Sequence, residues 1–230
     1  MIVLGLDPSL TGFGWCVHDG SVAGPGRVLA KGYFSTPATR VIYWRYLYLR
    51  EALFQLLDAY PQVEAVGVES PPFGESYSEG LYGLFLYVNE TLMLRRLDVV
   101  YFDPQRVKLL AKMDPKVRKG KMDKSDMVDA AKQDTGIKKW NHNEADGYII
   151  ARSTARFWDL YHERLEYNEL TPAEEQVFLS IHTFVRGKKA GRTERKGVFY
   201  KEGDRFYRFS QLDPSEVSLE FTLDLKGENP

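Results

Sequence analysis

The sequence predicts an α/β fold, in which helices flank a mixed five-stranded sheet, followed by a small α+β appendage. Two observations support this prediction. Three short apolar runs open the chain, and two more then alternate with segments of helical periodicity. This order is typical of a sheet that combines antiparallel and parallel strands and carries helices on its faces. The character of the chain changes near Asn168, so we predict one domain over residues 1–167 and a basic appendage over residues 168–230.

The five predicted strands are apolar runs bounded by turn residues. They cover residues 2–6, 13–17, 28–34, 63–68 and 98–102. Glycine and proline residues separate the first three runs, which predicts an antiparallel meander.

Helical spacing of apolar residues predicts the elements that cover the sheet. We predict helices at residues 40–60, 80–97, 107–113, 124–134 and 144–164. In the first of these, Trp44, Leu47 and Tyr48 begin a spacing of three to four residues, and Pro61 ends it. The third and fourth helices flank a basic segment.

The appendage is predicted to begin with a helix. Thr171 is a suitable N-cap and Pro172 suits the first helical position, which predicts a helix to about residue 185. A basic run, RGKKAGRTERK, follows it. Strand-like segments at 197–201 and 206–209 flank a turn, and a further strand is predicted at 217–225.

Cysteine, histidine and hydropathy patterns limit the classes of protein. The single cysteine, Cys16, excludes an internal disulfide and fits a reducing cytoplasm. The four histidines show no zinc-type pairing. The apolar stretches are too short for a signal peptide or a membrane span. We therefore expect a cytoplasmic protein without membrane contact, in the nucleoid or, if viral, in the cytoplasm of the host.

Charge is distributed unevenly along the chain. The net charge is −1, yet residues 104–124 hold eight Lys or Arg against two acids, and residues 186–208 hold nine against three. The last residues, 209–230, are acidic and conceal these two basic segments in the total. Basic segments of this kind fit either solvated loops or contacts with nucleic acid phosphates.

Acidic residues end two of the predicted strands. Asp7 and Glu69 each follow a continuous apolar run and precede a strand-breaking proline or Ser-Pro pair. In sheets with crossover helices, functional groups collect beyond the carboxyl ends of parallel strands. Two acids placed there repel each other unless a cation lies between them. Mg²⁺ suits such a site because it prefers oxygen ligands and retains water and substrate phosphate.

A third acid, Asp146, lies in the first turn of a predicted helix. His142 and Asn143 share its helical face, whereas Glu144 points roughly 200° away. We therefore expect either Asn143 or His142, rather than Glu144, to be the fourth group of the site. Each of these acids has an alternative interpretation as a helix cap or a surface charge.

Several motifs resemble those of the RuvC family of Holliday-junction resolvases. They are GLDPSLTGFG at 5–14, VGVE at 66–69, VK at 107–108, DKSDMV at 123–128 and EADGYIIA at 144–151. The similarity extends over residues 1–157, in family order and with family-like spacing. It implies an RNase H-like fold, a homodimer, and an endodeoxyribonuclease that resolves four-way junctions or other branched DNA.

The resemblance also implies roles for particular residues. Asp7, Glu69 and Asp146 would hold two Mg²⁺ ions, with Mn²⁺ as a substitute, and Lys108 and Lys124 would contact DNA near the cut. Lys124 is also a candidate catalytic residue, either as a phosphate clamp or as a charge that offsets the transition state. The family has a carboxylate or histidine three residues before its last aspartate, whereas this chain has Asn143 there. Two cations about 4 Å apart can activate water and stabilise the leaving 3′ oxygen, which predicts 5′-phosphate and 3′-hydroxyl ends.

Further residues are candidates for DNA contacts. Phe73 follows Glu69 and would stack on an unpaired base or pack within the fold. The basic candidates are Arg106, Lys112, Arg118, Lys119, Lys121, Lys188, Lys189 and Arg192. The two strand-like segments of the appendage carry aromatic residues that would either contact DNA or form its core.

Three other functions fit parts of the pattern. Sugar-kinase and actin-like ATPases open with a similar strand and acid, but this sequence has no second glycine-rich phosphate loop after Glu69. A junction-binding protein that does not cut is favoured by Asn143. An RNase H-like nuclease acting on a flap or an RNA–DNA hybrid is the third.

Overall fold

Five strands form one mixed sheet in the computed structural model, which describes residues 1–71, 78–111, 124–186, 193–202 and 205–208. The strands are β1 (Ile2–Asp7), β2 (Phe13–Asp19), β3 (Val28–Phe34), β4 (Ala65–Glu69) and β5 (Asp98–Phe102). Their order across the sheet is β3-β2-β1-β4-β5. The first three strands are antiparallel neighbours, while β4 is parallel to both β1 and β5. The predicted mixed five-stranded sheet is confirmed.

Six helices either cover the faces of this sheet or pack against the helices that do. They are α1 (Ile42–Ala59), α2 (Glu79–Leu94), α3 (Pro104–Leu110), α4 (Lys124–Thr135), α5 (His142–Tyr161) and α6 (Pro172–Phe178). Helices α1 and α2 bury their leucines against Leu4 and Leu6 of β1. Because side chains alternate along a strand, Gly5 lies on the opposite face, where α5 packs.

Glycines allow α5 to lie directly on the strand backbones. A Cβ atom added to Gly5 would lie 2.1 Å from the carbonyl oxygen of Gly147, and one added to Gly67 would lie 1.9 Å from the Thr154 hydroxyl oxygen. A side chain at Gly5 would therefore displace the α5 backbone, and one at Gly67 would displace the Thr154 and Ile150 side chains of α5. The short glycine contacts therefore fix the height of α5 above the sheet.

A second compact unit follows the first. The chain divides into Met1–Ile181 and His182–Pro230, so the first unit contains residues beyond the predicted boundary at 167, including α6. In the second unit β6 (His182–Arg186) pairs with β7 (Thr193–Gly197), and β8 (Phe199–Glu202) pairs with β9 (Arg205–Arg208), both antiparallel.

The prediction that helix α6 extends to residue 185 is wrong. Helix α6 begins as expected, with the Thr171 side chain accepting from the Glu174 amide, but it ends at Phe178. The HTFVR sequence of β6 has β-branched and aromatic residues, which favour a strand when a partner strand is present. The strand predicted at 217–225 lies outside the described residues. None of the described helices has the length and apolar character needed to cross a bilayer.

Candidate active site

The carboxyl ends of the neighbouring parallel strands β1 and β4 bring two acids to one edge of the sheet. Asp7 is the last residue of β1 and Glu69 the last residue of β4. The register pairs Leu6 with Val68, the residues immediately before the two acids. The parallel pairing therefore gives both carboxylates the same position along the sheet.

The first turns of α5 lie against the adjacent end of β2. A Cβ atom on Gly14, which pairs with Asp7, would lie 2.0 Å from the carbonyl oxygen of Asn143. One turn further along, a Cβ atom on Gly147 would lie 2.8 Å from the backbone of Trp15. Asp146 lies between these two contacts, so the close packing of α5 brings it to the same edge.

The acids act on one another electrostatically. Burial, together with the neighbouring carboxylates of Asp7 and Asp146, raises the pKa of Glu69 to about 9. Glu69 is partly buried, so water screens this repulsion less than at an exposed position. Three acids that are distant in sequence thus form one electrostatically coupled group, which we call the acidic edge.

Helix α3 contributes charges of both signs to the acidic edge. The ammonium group of Lys108 lowers the pKa of Glu69, whereas the carboxylate of Asp103 raises it. Asp103 also caps α3 by accepting from the amide of Gln105 at 2.8 Å. The sequence reasoning missed Asp103 as a member of the site because an Asp-Pro pair after a strand indicates only a turn. Arg106 lies on the same short helix.

Asn143 and Glu144 have different environments, although they are neighbours in sequence. A Cβ atom on Gly12, in the loop after Asp7, would lie 2.5 Å from the side-chain nitrogen of Asn143. The carboxylate of Glu144 instead accepts from the Lys31 ammonium at 2.6 Å and from the Asn141 backbone amide at 2.9 Å. Glu144 therefore completes a capping box and an ion pair on β3, while Asn143 lies beside the loop after Asp7.

A buried arginine fixes the loop that follows Asp7. The Arg45 guanidinium of α1 donates to the Leu10 carbonyl oxygen and to the Thr36 hydroxyl, both at 2.8 Å. The Thr36 hydroxyl in turn donates to the same carbonyl oxygen. Both side chains are buried, so these bonds hold the loop without competition from bulk water.

The donor set of the acidic edge has the chemistry that a hard divalent cation requires. Carboxylate oxygens are the preferred ligands of Mg²⁺, and a cation would offset both the burial of the Glu69 carboxylate and the charges of Asp7 and Asp146, which together raise its pKa. In the part of the chain that the structure describes, no group of three or more His, Cys, Asp or Glu side chains is arranged closely enough to hold a metal ion as it stands. Ligand closure around a cation would thus require side-chain movements.

Several candidates for DNA contacts cannot be placed relative to the acidic edge. Lys124 is the first residue of α4, but its side chain lies outside what the structure describes. The same holds for the whole of Phe73, Lys112, Arg118, Lys119, Lys121, Lys188, Lys189 and Arg192. The roles suggested for these residues stay predictions.

Comparison with solved structures finds two RuvC structures with a similar fold. The RuvC structure from Thermus thermophilus is 21% identical, with a TM-score of 0.57, and the match covers 70% of this chain and 97% of that one. RuvC from the same organism in complex with a Holliday junction substrate is 20% identical, with a TM-score of 0.55 and coverages of 70% and 96%.

Other comparisons were weaker or negative. The yeast mitochondrial Holliday junction resolvase Ydc2 is 12% identical, with a TM-score of 0.44, over 70% of this chain and 83% of that one. No protein-family model matches the sequence, and no curated protein matches it. The chain has a RuvC-like fold of the RNase H-like class on the strength of the two Thermus structures.

Proposed function

We propose that the chain is a divalent-metal-dependent endonuclease that cuts four-way DNA junctions or closely related branched DNA. The placement of Asp7 and Glu69 at the carboxyl ends of the neighbouring parallel strands β1 and β4, with Asp146 close enough to act on Glu69, is the observation that carries this proposal. A purely structural role does not account for it, because three acids that repel one another at a partly buried edge cost stability.

The residues of the acidic edge have complementary tasks in this proposal. Asp7, Glu69 and Asp146 would hold Mg²⁺, or Mn²⁺ in its place, with the Asn143 amide oxygen as a neutral fourth donor. Two bound cations would supply an activated water and stabilise the leaving 3′ oxygen, giving 5′-phosphate and 3′-hydroxyl ends. Lys108, whose charge already acts on Glu69, would attract the DNA phosphate towards the acids.

The DNA substrate is suggested by the structural neighbours. A Thermus RuvC structure with the same fold contains a Holliday junction substrate, over a match that includes 96% of that chain. Resolution of a junction requires two symmetrically related cuts, so we propose that the chain acts as a two-fold homodimer. The second unit, His182–Pro230, with its basic segment, would add phosphate contacts.

Cleavage by matched variants tests the proposal. Asp7→Asn and Asp146→Asn should abolish cutting of a labelled four-way junction in Mg²⁺ while junction binding persists. Glu144→Gln is the matched control, because Glu144 lies in the same turn as Asp146 but is held by Lys31; this variant should still cut. Cutting by Asp7→Asn at the rate of the unaltered chain would end the proposal.

A panel of substrates separates the alternatives. A junction, a flap, a linear duplex and an RNA–DNA hybrid are compared in Mg²⁺, in Mn²⁺ and in EDTA, and we expect metal-dependent cutting of the junction at the highest rate. Faster cutting of the flap or the hybrid would instead indicate a related nuclease with another substrate. Asn143, which brings no charge to the site, favours a second candidate, a protein that binds junctions without cutting them. Tight binding without cleavage in either metal would support it.

A further inference from the structure

A cluster of polar and charged side chains packs against the middle of α5, within two turns of Asp146. We call it the Asp134 cluster; its members are Arg27, Asp134, Tyr148 and Arg152. The Asp134 carboxylate accepts from Arg27 at 3.0 Å and from Arg152 at 3.2 Å, and also from the Tyr148 hydroxyl. It therefore joins the 3₁₀ turn at Gly24–Arg27, α4 and α5.

Arg152 has a second partner in α3. Its other terminal nitrogen donates to the carbonyl oxygen of Leu110 at 2.6 Å. Leu110 is the last residue of α3, and Asp134 lies in the last turn of α4. One guanidinium on α5 thus binds both helices that flank residues 112–123.

The contacts of Arg152 are shielded from solvent. The side chains of Arg152 and Asp134 are each 8% exposed. Burial alone would raise the pKa of Asp134, but the Arg152 guanidinium and the Tyr148 hydroxyl bring that pKa below its ordinary value, so the carboxylate stays charged. A buried carboxylate shared by two guanidinium groups forms a directional and strongly held junction.

The cluster also forms part of the wall of a cavity of about 460 Å³. Arg156 and Glu174 line the same cavity and pair with each other. The arginines of this wall are therefore already bonded to carboxylates of the chain. These arginine–carboxylate pairs connect neighbouring secondary structure elements.

We propose that Arg152 is a positioning residue that fixes α3 and α4 relative to α5. Because α3 and α4 flank the basic segment 112–123 and α5 carries Asp146, Arg152 thereby sets the position of both flanking helices with respect to Asp146. The helices it joins carry Lys108, Lys124 and Asp146, the charged residues of the proposed nuclease site. The effect on cleavage rests on the proposed function; the effect on helix placement does not.

Arginine is required at this position by geometry. Its two terminal nitrogens form separate bonds in different directions, to a backbone carbonyl and to a carboxylate. A lysine has a single ammonium on a flexible stem and cannot reproduce the fixed fork. Arg152→Lys therefore keeps the charge and removes the simultaneous connection to both helices.

Hydrogen exchange tests the placement directly, with Arg156→Lys as the matched control. Arg156 lies one turn further along α5 and pairs with Glu174 and the Glu169 carbonyl oxygen rather than with α3 or α4. In Arg152→Lys and in Asp134→Asn, the amides of Ala111 and Gly136, which close the last turns of α3 and α4, should exchange roughly tenfold or more faster. Amides of β1 should keep their protection in both, and Arg156→Lys should leave Ala111 and Gly136 unchanged.

Activity provides the second readout. Arg152→Lys should lower the rate of junction cleavage by about 100-fold, as expected for a small displacement of groups around a reacting centre, while Arg156→Lys cuts at nearly the unaltered rate. Unchanged exchange at Ala111 and Gly136 in both cluster variants would overturn the proposal. So would faster exchange accompanied by cleavage equal to that of Arg156→Lys. If the unaltered chain cuts no junction at all, the proposed function fails, and the exchange result still decides the placement of α3 and α4.

Discussion

Replacement of Glu69 by glutamine should stabilise the metal-free chain. The pKa of Glu69 is raised from 4.5 to about 9 by burial and by Asp7 and Asp146. At neutral pH the folded chain therefore keeps a proton on this carboxyl group that the unfolded chain has released. Each pKa unit corresponds to about 1.4 kcal/mol, so the free energy of unfolding at pH 7 is lowered by roughly 3 kcal/mol. Glu69→Gln has nearly the same shape and carries no such cost.

The pH dependence follows from the same shift. Because the folded-state pKa is the higher one, the stability is fully present below pH 4.5 and declines as the pH rises to about 9. Urea unfolding in EDTA at pH 5 and at pH 8 should show this decline in the unaltered chain and a smaller one in Glu69→Gln.

An exposed carboxylate provides the control for this measurement. Glu90, whose side chain is 51% exposed, should change the free energy of unfolding by less than about 0.5 kcal/mol when replaced by glutamine. Added Mg²⁺ should stabilise the unaltered chain more than Glu69→Gln, because a cation binds the ionised Glu69 carboxylate in place of its proton, whereas the glutamine amide has no charge to offer. A Glu69→Gln variant that is no more stable than the unaltered chain at pH 8 in EDTA would refute the electrostatic reasoning.

Two further substitutions test the packing and the charge at the site. Gly5→Ala places a methyl group 2.1 Å from the Gly147 carbonyl oxygen. In a urea titration this variant should lower the free energy of unfolding by about 3 kcal/mol or more. Gly26→Ala, whose added methyl group has its nearest neighbour 3.4 Å away, should change the free energy of unfolding little. Lys108→Gln should raise the pKa of Glu69 further, as followed by the carboxyl NMR shift against pH. Arg106→Gln should raise it less, because residues two apart on a helix point in different directions; an equal effect of both would contradict the placement of Lys108.

Local sequence signals were sufficient to predict the strands of the sheet and the acids that end two of them. Asp7 and Glu69 could be found because an apolar run followed by an acid and a breaker indicates where a strand stops, and parallel neighbours then place both acids at one edge. The direction of Glu144 also followed from helix periodicity, and its ion pair with Lys31 gives that direction a structural reason.

Long-range contacts could not be predicted from local sequence patterns. The bond from Arg152 to the Leu110 carbonyl oxygen spans 42 positions and depends on how three helices pack. The strand β6 was missed for a similar reason, since its pairing with β7 overrides the helix that Thr171 and Pro172 begin. Local periodicity contains no information on either partner.

The glycine contacts beneath α5 have a consequence for how the chain tolerates change. Asp146 lies on helix α5, which packs directly on the main chain at Gly5 and Gly14. No side chain lies between them that could change its rotamer to absorb a local shift. Adding even one methyl group at either glycine would shift or tilt α5 and move Asp146 away from Asp7 and Glu69. Sequence variation in related chains should therefore be restricted more strictly at these two glycines than at many of the residues proposed to contact DNA.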